Sequence, residues 1–181
     1  SYARRSPALM RRMASTVRAR GHRVGYHPGF ETFDNAAEWQ RQKADLERLL
    51  DETVSEGRQH VLRYAADTTP RFWSEAGMAI DYTPAFPEVP GFRTGSTRRN
   101  PAYDLCRRRA LKVDLCATAV MEFSLFGGKY LDLDAERALL ECRPLIAACR
   151  RYGGNFVFLQ HTGAAAPVVK TFYEQLIGEA A

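Results

Sequence analysis

Apolar positions in the first half of the chain recur at helical spacing in short blocks, each followed by a few residues that alternate apolar with polar. Ser6 and Pro7 suit an N-cap and a first helical position, and Leu9, Met10, Met13 and Val17 then fall on one stripe ending near Gly21. His22 to His27 (HRVGYH) alternates after a glycine and predicts a strand that Pro28-Gly29 closes. Asp34 or Asn35 can cap a second helix, whose buried side is Trp39, Leu46, Leu49 and Leu50, running through Thr53. Gly57 to Tyr64 leans towards strand. Thr69-Pro70 opens a helix holding Phe72 and Trp73 that ends at Gly77, and Met78 to Tyr82 reads as the next strand.

From Thr83 to Pro101 the prolines at 84, 87 and 90 and interspersed glycines predict a long surface loop, a length that usually serves a site. Beyond it come an apolar stretch Leu111 to Phe126, a helix Asp134 to Tyr152, a β-forming run Asn155 to Gln160 ending at His161, and a last helix Ala166 to Gly178. Helices alternating with short apolar strands imply an α/β fold with a mainly parallel sheet, open or curved into a barrel. No internal repeat or low-complexity tract divides residues 1–181, so a single domain is expected.

Composition narrows the function classes. With 181 residues, 45% hydrophobic and 26% charged, the chain is an ordinary globular domain. It carries neither a signal core nor an apolar run of membrane-spanning length, and a cytoplasmic location is the expectation. Cys106, Cys116, Cys142 and Cys149 fit no CxxC pattern and predict reduced thiols; Cys142 and Cys149, one heptad apart, share a helix face. The net charge of +5, with clusters Arg98-Arg99 and Arg107-Arg108-Arg109, is spread among acidic residues and lacks any nucleic-acid-binding signature, so no nucleic-acid partner is expected.

Candidate chemistry lies in the histidines. Of four, His27, His60 and His161 fall at or just inside the ends of predicted strands, where α/β folds gather catalytic groups. Neutral imidazole binds zinc and similar ions, and equally serves as acid or base near neutral pH. A single histidine is more often structural, whereas three at three strand ends favour a shared site.

The residues themselves carry a resemblance. Gly21-His22-Arg23-Val24-Gly25-Tyr26-His27 resembles the G-H-E-I-G-x-H segment of the polysaccharide deacetylases, carbohydrate esterase family four. A bacterial branch of that superfamily is matched in order by His27-Pro28, by Gly57-Arg58-Gln59-His60-Val61-Leu62-Arg63, by Ala76-Gly77 through Asp81-Tyr82-Thr83, and by Gly91-Phe92-Arg93-Thr94-Gly95-Ser96-Thr97. The matches, from His22 to His161, span about three-quarters of the chain. The resemblance implies a partial (β/α) barrel of the polysaccharide deacetylase type, a mainly parallel sheet with surrounding helices. It implies His27 as ligand of a divalent metal, zinc first, with Arg58 setting a catalytic carboxylate. His161, in Leu159-Gln160-His161, would protonate the leaving amine, and Asp81 resembles the acid that orients it, although a strand-end cap also explains an aspartate there. Phe92, Arg93 and Tyr82 would contact an N-acetylated sugar, with Phe86 as a further stacking ring.

Two departures shape the expected function. The family's metal motif has a second histidine where this chain has Glu31, so Glu31 or His60 would supply the missing ligand. The family's T-F-D-D strand, which carries its catalytic aspartates, has no counterpart before His27, and the chain is expected to be an N-terminally incomplete domain with negligible turnover. Metal-dependent hydrolysis of N-acetyl groups on a sugar is therefore one reading, and a non-catalytic remnant or carbohydrate-binding module of the same fold is the other.

Overall fold

A computed structural model describes residues 6–162 and 166–180. Its contacts divide the chain into two compact units, one of residues 6–81 and 101–114, the other of residues 82–100, 115–162 and 166–180.

The first unit holds α1 (Pro7–Ala19), a 3₁₀ turn (Phe30–Thr32), α2 (Ala36–Leu50), β1 (Glu56–Gly57), a second 3₁₀ turn (His60–Leu62), α3 (Thr69–Glu75), β2 (Ile80–Asp81), β3 (Asn100–Asp104) and β4 (Arg109–Leu115). Its sheet runs β1-β2-β4-β3, with β1 and β2 parallel in the register Glu56↔Ile80 and Gly57↔Asp81. Of the predicted strand 22–27, only Tyr26 pairs, in a parallel bridge with Gly57. The β-leaning run 57–64 leaves the sheet after Gly57 and coils into the second turn.

Local chemistry explains these boundaries. Asn35, not Asp34, caps α2 by accepting from the Glu38 amide at 3.1 Å, and the helix ends where Asp51 takes a left-handed conformation. Trp39 is fully buried, its ring 4.9 Å from Tyr26 and 5.3 Å from Trp73, and the Tyr26 hydroxyl donates to the Trp39 carbonyl at 2.7 Å. Burying such aromatics is the main stabilising term, about 2–3 kcal/mol each. On α1 the predicted period is present but its stripe is only partly covered: Ala14 is buried and Met10 and Val17 are half-buried, while Leu9 and Met13 are exposed. The four residues between β3 and β4 allow only an antiparallel hairpin. Buried Asp104 builds that turn, its Oδ1 accepting from the Cys106 and Arg107 amides at 3.0 and 2.9 Å. The Arg107 amide and the Arg71 guanidinium hold its carboxyl below the ordinary carboxylate range.

The second unit holds β5 (Val120–Met121), α4 (Glu122–Phe126), α5 (Ala135–Tyr152), β6 (Phe158–Leu159) and α6 (Pro167–Ala180). β5 and β6 are parallel, with Val120↔Phe158 and Met121↔Leu159. Asp134 caps α5 by accepting from the Arg137 amide at 2.8 Å, and Gly153, at φ +62°, closes it. Phe172 centres the core, with its ring 5.2 Å from Phe126 and 5.6 Å from Phe158, among Val120, Leu125, Leu139, Cys142, Ile146 and Leu176. The strands thus hydrogen-bond as two sheets, one per unit, with parallel β1–β2 and β5–β6 pairs and no closed barrel among the described residues. None of the described helices is long and apolar enough to cross a membrane.

All four thiols are free; Cys106 is exposed and Cys116, Cys142 and Cys149 are buried. Burial pushes the Cys142 thiol up to about 12 and raises Cys149 as well. At pH 8 a disulfide-exchange reagent should therefore label Cys106 quickly and the other three only after unfolding. Raising the pH to 10 should not recruit Cys142. A second fast thiol in the native protein would contradict this packing.

Candidate functional site

In the first unit the candidate centre starts from one close backbone approach. Tyr26 donates its amide to the Glu56 carbonyl at 2.8 Å and accepts from the Arg58 amide at 2.9 Å, straddling Gly57. A Cβ on residue 57 would stand 2.1 Å from the Tyr26 oxygen, so only glycine permits the bridge. The next side chain, His27, is thereby aimed at the Arg58 carbonyl, with Nδ1 at 2.7 Å. A carbonyl only accepts, so Nδ1 carries the proton and Nε2 is left with its lone pair in the neutral ring. His60 Nδ1 lies 3.0 Å from that Nε2, and the two rings are 5.0 Å apart.

The turn that carries His60 is strained and firmly tied. Val61 and Leu62 have φ of +51° and +55°, a left-handed conformation that costs non-glycine residues about 1–3 kcal/mol each. Buried Gln59 donates to Thr32 Oγ1 at 2.7 Å on one side of it. On the other side the Arg63 guanidinium lies between the Phe30 and Phe33 rings, at 4.0 and 3.9 Å from their centroids, and donates to the Phe30 carbonyl at 2.9 Å. Both 3₁₀ turns are thus fastened together beneath the imidazole pair.

Glu31 does not join the imidazoles. Its side chain is 81% exposed and stands 3.6 Å from Arg63. The expected i, i+4 placement needs a helical turn after His27, whereas Gly29 is extended (φ −69°, ψ 164°) and the chain turns only from Phe30. Two neighbouring imidazole nitrogens suit a divalent ion: tetrahedral zinc holds its nitrogen ligands ~3.3 Å apart, and a carbonyl on the far ring nitrogen is the usual support of a ligating histidine. His27 and His60 therefore fit two ligand positions. Among the described residues no third His, Cys, Asp or Glu completes a set.

The second unit holds a different arrangement. The parallel register of β5 with β6 brings Glu122, just past β5, and His161, just past β6, to the same strand ends. Glu122 Oε1 accepts from His161 Nδ1 at 2.6 Å and from the His161 amide at 3.0 Å. The carboxylate is buried, with its side chain 4% exposed, while the imidazole side chain is 57% exposed. Its other oxygen, Oε2, is buried without a hydrogen-bond partner among the described residues. This contact fixes the Nδ1–H tautomer and turns Nε2 outward, the arrangement in which an imidazole exchanges protons with a ligand.

The resemblance offered Asp81 as the acid on His161, with a strand-end cap as the alternative; the carboxylate on His161 Nδ1 is Glu122. Asp81 ends β2 in the first unit with its side chain buried, and its charge, after burial itself, raises the Tyr64 hydroxyl. The signal for Glu122 is a lone carboxylate near the end of an apolar run, Leu115 to Phe126, directly after the apolar pair Val120-Met121. Arg58 contributes its backbone, the amide to Tyr26 and the carbonyl to His27. The loop residues are engaged within their own unit. Phe92 is half-buried, packing against the core cluster while lining a pocket with Ser96, Thr97 and Tyr152, Arg93 donates to the Ala85 carbonyl at 2.9 Å, and the backbone carbonyl of half-buried Tyr82 accepts from Thr118 Oγ1 at 2.7 Å.

No protein-family model matches this chain. No curated protein matches it either. Among solved structures it is similar to a crystal structure described as a "putative polysaccharide deacetylase from Mycobacterium smegmatis", with a TM-score of 0.61 and 17% sequence identity. The match covers 96% of this chain and 62% of that one, so the chain spans less than two thirds of that protein's length. At this identity the likeness is one of fold: a mixed α/β chain with parallel strand pairs and surrounding helices.

Replacing Gly57 by alanine should lower stability by on the order of 2–4 kcal/mol in urea denaturation, because backbone on both sides must retreat. A loss under ~0.5 kcal/mol, the size of an ordinary surface substitution, would mean that Tyr26 and Gly57 are not in contact.

Proposed function

We propose that this chain belongs to a carbohydrate deacetylase, hydrolysing N-acetyl groups on a sugar or polysaccharide. The observation that carries the hydrolytic half is the 2.6 Å contact between His161 Nδ1 and buried Glu122. The substrate class follows from the fold likeness to the deacetylase structure and from the ordered motifs between His22 and His161.

In this reading water adds to the acetyl carbonyl, and His161, as the imidazolium, gives its Nε2 proton to the amine nitrogen as the carbon–nitrogen bond breaks, releasing a free amino sugar and acetate, with the proton shed by the added water returning to the ring. Glu122 holds Nδ1–H and balances the charge of the imidazolium from which that proton is given. His27 and His60 supply two ligands to a divalent metal, zinc first, whose chemistry when bound is to polarise a carbonyl and acidify water. The incomplete ligand set among the described residues favours a second reading, a non-catalytic carbohydrate-binding module.

Acetate release from N-acetylated chito-oligosaccharides separates the two. For a hydrolase, His161→Ala should lower the rate roughly 10²–10⁴-fold and Glu122→Gln by a smaller factor, both with unchanged sugar affinity. Release that is indifferent to His161→Ala removes the acid assignment, and sugar binding without any release favours the module. Zinc titrated calorimetrically should bind weakly to the unaltered protein and not to His27→Ala; superimposable heats would end the ligand assignment.

A further inference from the structure

We propose that Phe30 is the platform on which a pyranose ring stacks beside the imidazole pair, with Arg63 as its positioning residue. This rests on the carbohydrate reading above and assigns its recognition surface to a residue outside the matched motifs.

Phe92, which the sequence offered for stacking, is half-buried in the other unit and packs in part against its core. In the unit that carries His27 and His60, Phe30 is 48% exposed and its ring lies edge-on to His60, with centroids 6.1 Å apart. It is a large apolar side chain placed by an extended Gly29 at the surface next to two imidazoles. Scattered exposed apolar residues need no explanation, but this one is held. The Arg63 guanidinium covers one side of the ring at 4.0 Å, rests its own other side on Phe33 at 3.9 Å, and is anchored by donation to the Phe30 carbonyl.

Such a clamp has a consequence for binding. A pyranose presents a face of C–H groups that packs on an aromatic ring and removes apolar surface of both from water. A ring already fixed by its neighbours loses little rotamer freedom when a ligand arrives. With the guanidinium on one face of the ring, nearly half of Phe30 stays exposed. A sugar on Phe30 lies within a few ångströms of the imidazole edge, where its acyl-amino substituent can reach a nitrogen.

The test is calorimetric titration of N,N′,N″-triacetylchitotriose into the unaltered protein, Phe30→Ala, Phe30→Trp and, as a control ring from the other unit, Tyr173→Ala, an exposed aromatic on α6. Phe30→Ala should weaken binding at least tenfold, Phe30→Trp should retain or tighten it, and Tyr173→Ala should leave it unchanged. Should Phe30→Ala unfold, ring carbon and proton shifts of labelled Phe30 in the unaltered protein must move on titration. Equal affinity of the unaltered and Phe30→Ala proteins, or static Phe30 shifts at saturation, overturns the platform and leaves the carbohydrate reading standing. No binding by the unaltered protein overturns both.

Discussion

The feature on which the first unit depends is the passage of the Tyr26 carbonyl over a residue with no side chain. At Gly57 the backbone of the segment before His27 approaches β1 so closely that a single methyl group cannot be inserted. From that contact the rest follows by short covalent steps. One residue after Tyr26 is the imidazole that reaches Arg58, and one residue after Gly57 is the carbonyl it reaches. Two residues further on, His60 meets His27. No other register brings these groups together, because a shift of one residue turns His27 to the opposite face of the strand.

Strain and its compensation are arranged around the same contact. Val61 and Leu62 adopt a conformation that their β-branched and γ-branched side chains disfavour, at a combined cost of a few kcal/mol. The opposing terms are local: the buried Gln59 to Thr32 hydrogen bond, and a guanidinium between two phenyl rings, each such cation–ring contact contributing about 0.5–2 kcal/mol. The strained turn and its anchors together fix one position for His60. A relaxed turn would allow several, and the imidazole pair would be transient.

Much of this was legible in the sequence where period and capping agree. The α5 helix begins at Asp134 and ends before Gly153 as its cap residues dictate, and the buried pair Cys142 and Cys149 follows from one heptad spacing. Strand lengths were not legible. The run 22–27 alternates correctly, yet only Tyr26 pairs, since Pro28 and Gly29 withdraw the chain from the sheet. Glu31 looked like a ligand by counting residues, but counting assumes a helix that the extended Gly29 does not begin. Phe92, an aromatic in a loop, does both things such residues do: it packs in part on the core and it lines a pocket. Glu122 went unread for the opposite reason. Inside an apolar stretch one carboxylate resembles an interruption, and only the parallel register of β5 with β6 shows that His161 is its partner.

The two histidine centres also differ in what holds Nδ1, and that difference sets what each ring can do. A backbone carbonyl, as at His27, fixes the tautomer without adding formal charge, so the outer nitrogen keeps its lone pair and suits a ligand or a neutral acceptor. A buried carboxylate, as at His161, fixes the same tautomer but places a negative charge against the ring, so the imidazolium formed in proton transfer is supported. Exchanging the supports would exchange the aptitudes: a carbonyl behind His161 would leave a developing charge unbalanced, and a carboxylate behind His27 would make its outer nitrogen a proton carrier as readily as a ligand. The chemistry open to each imidazole is therefore written in its neighbour on Nδ1, before any substrate is considered.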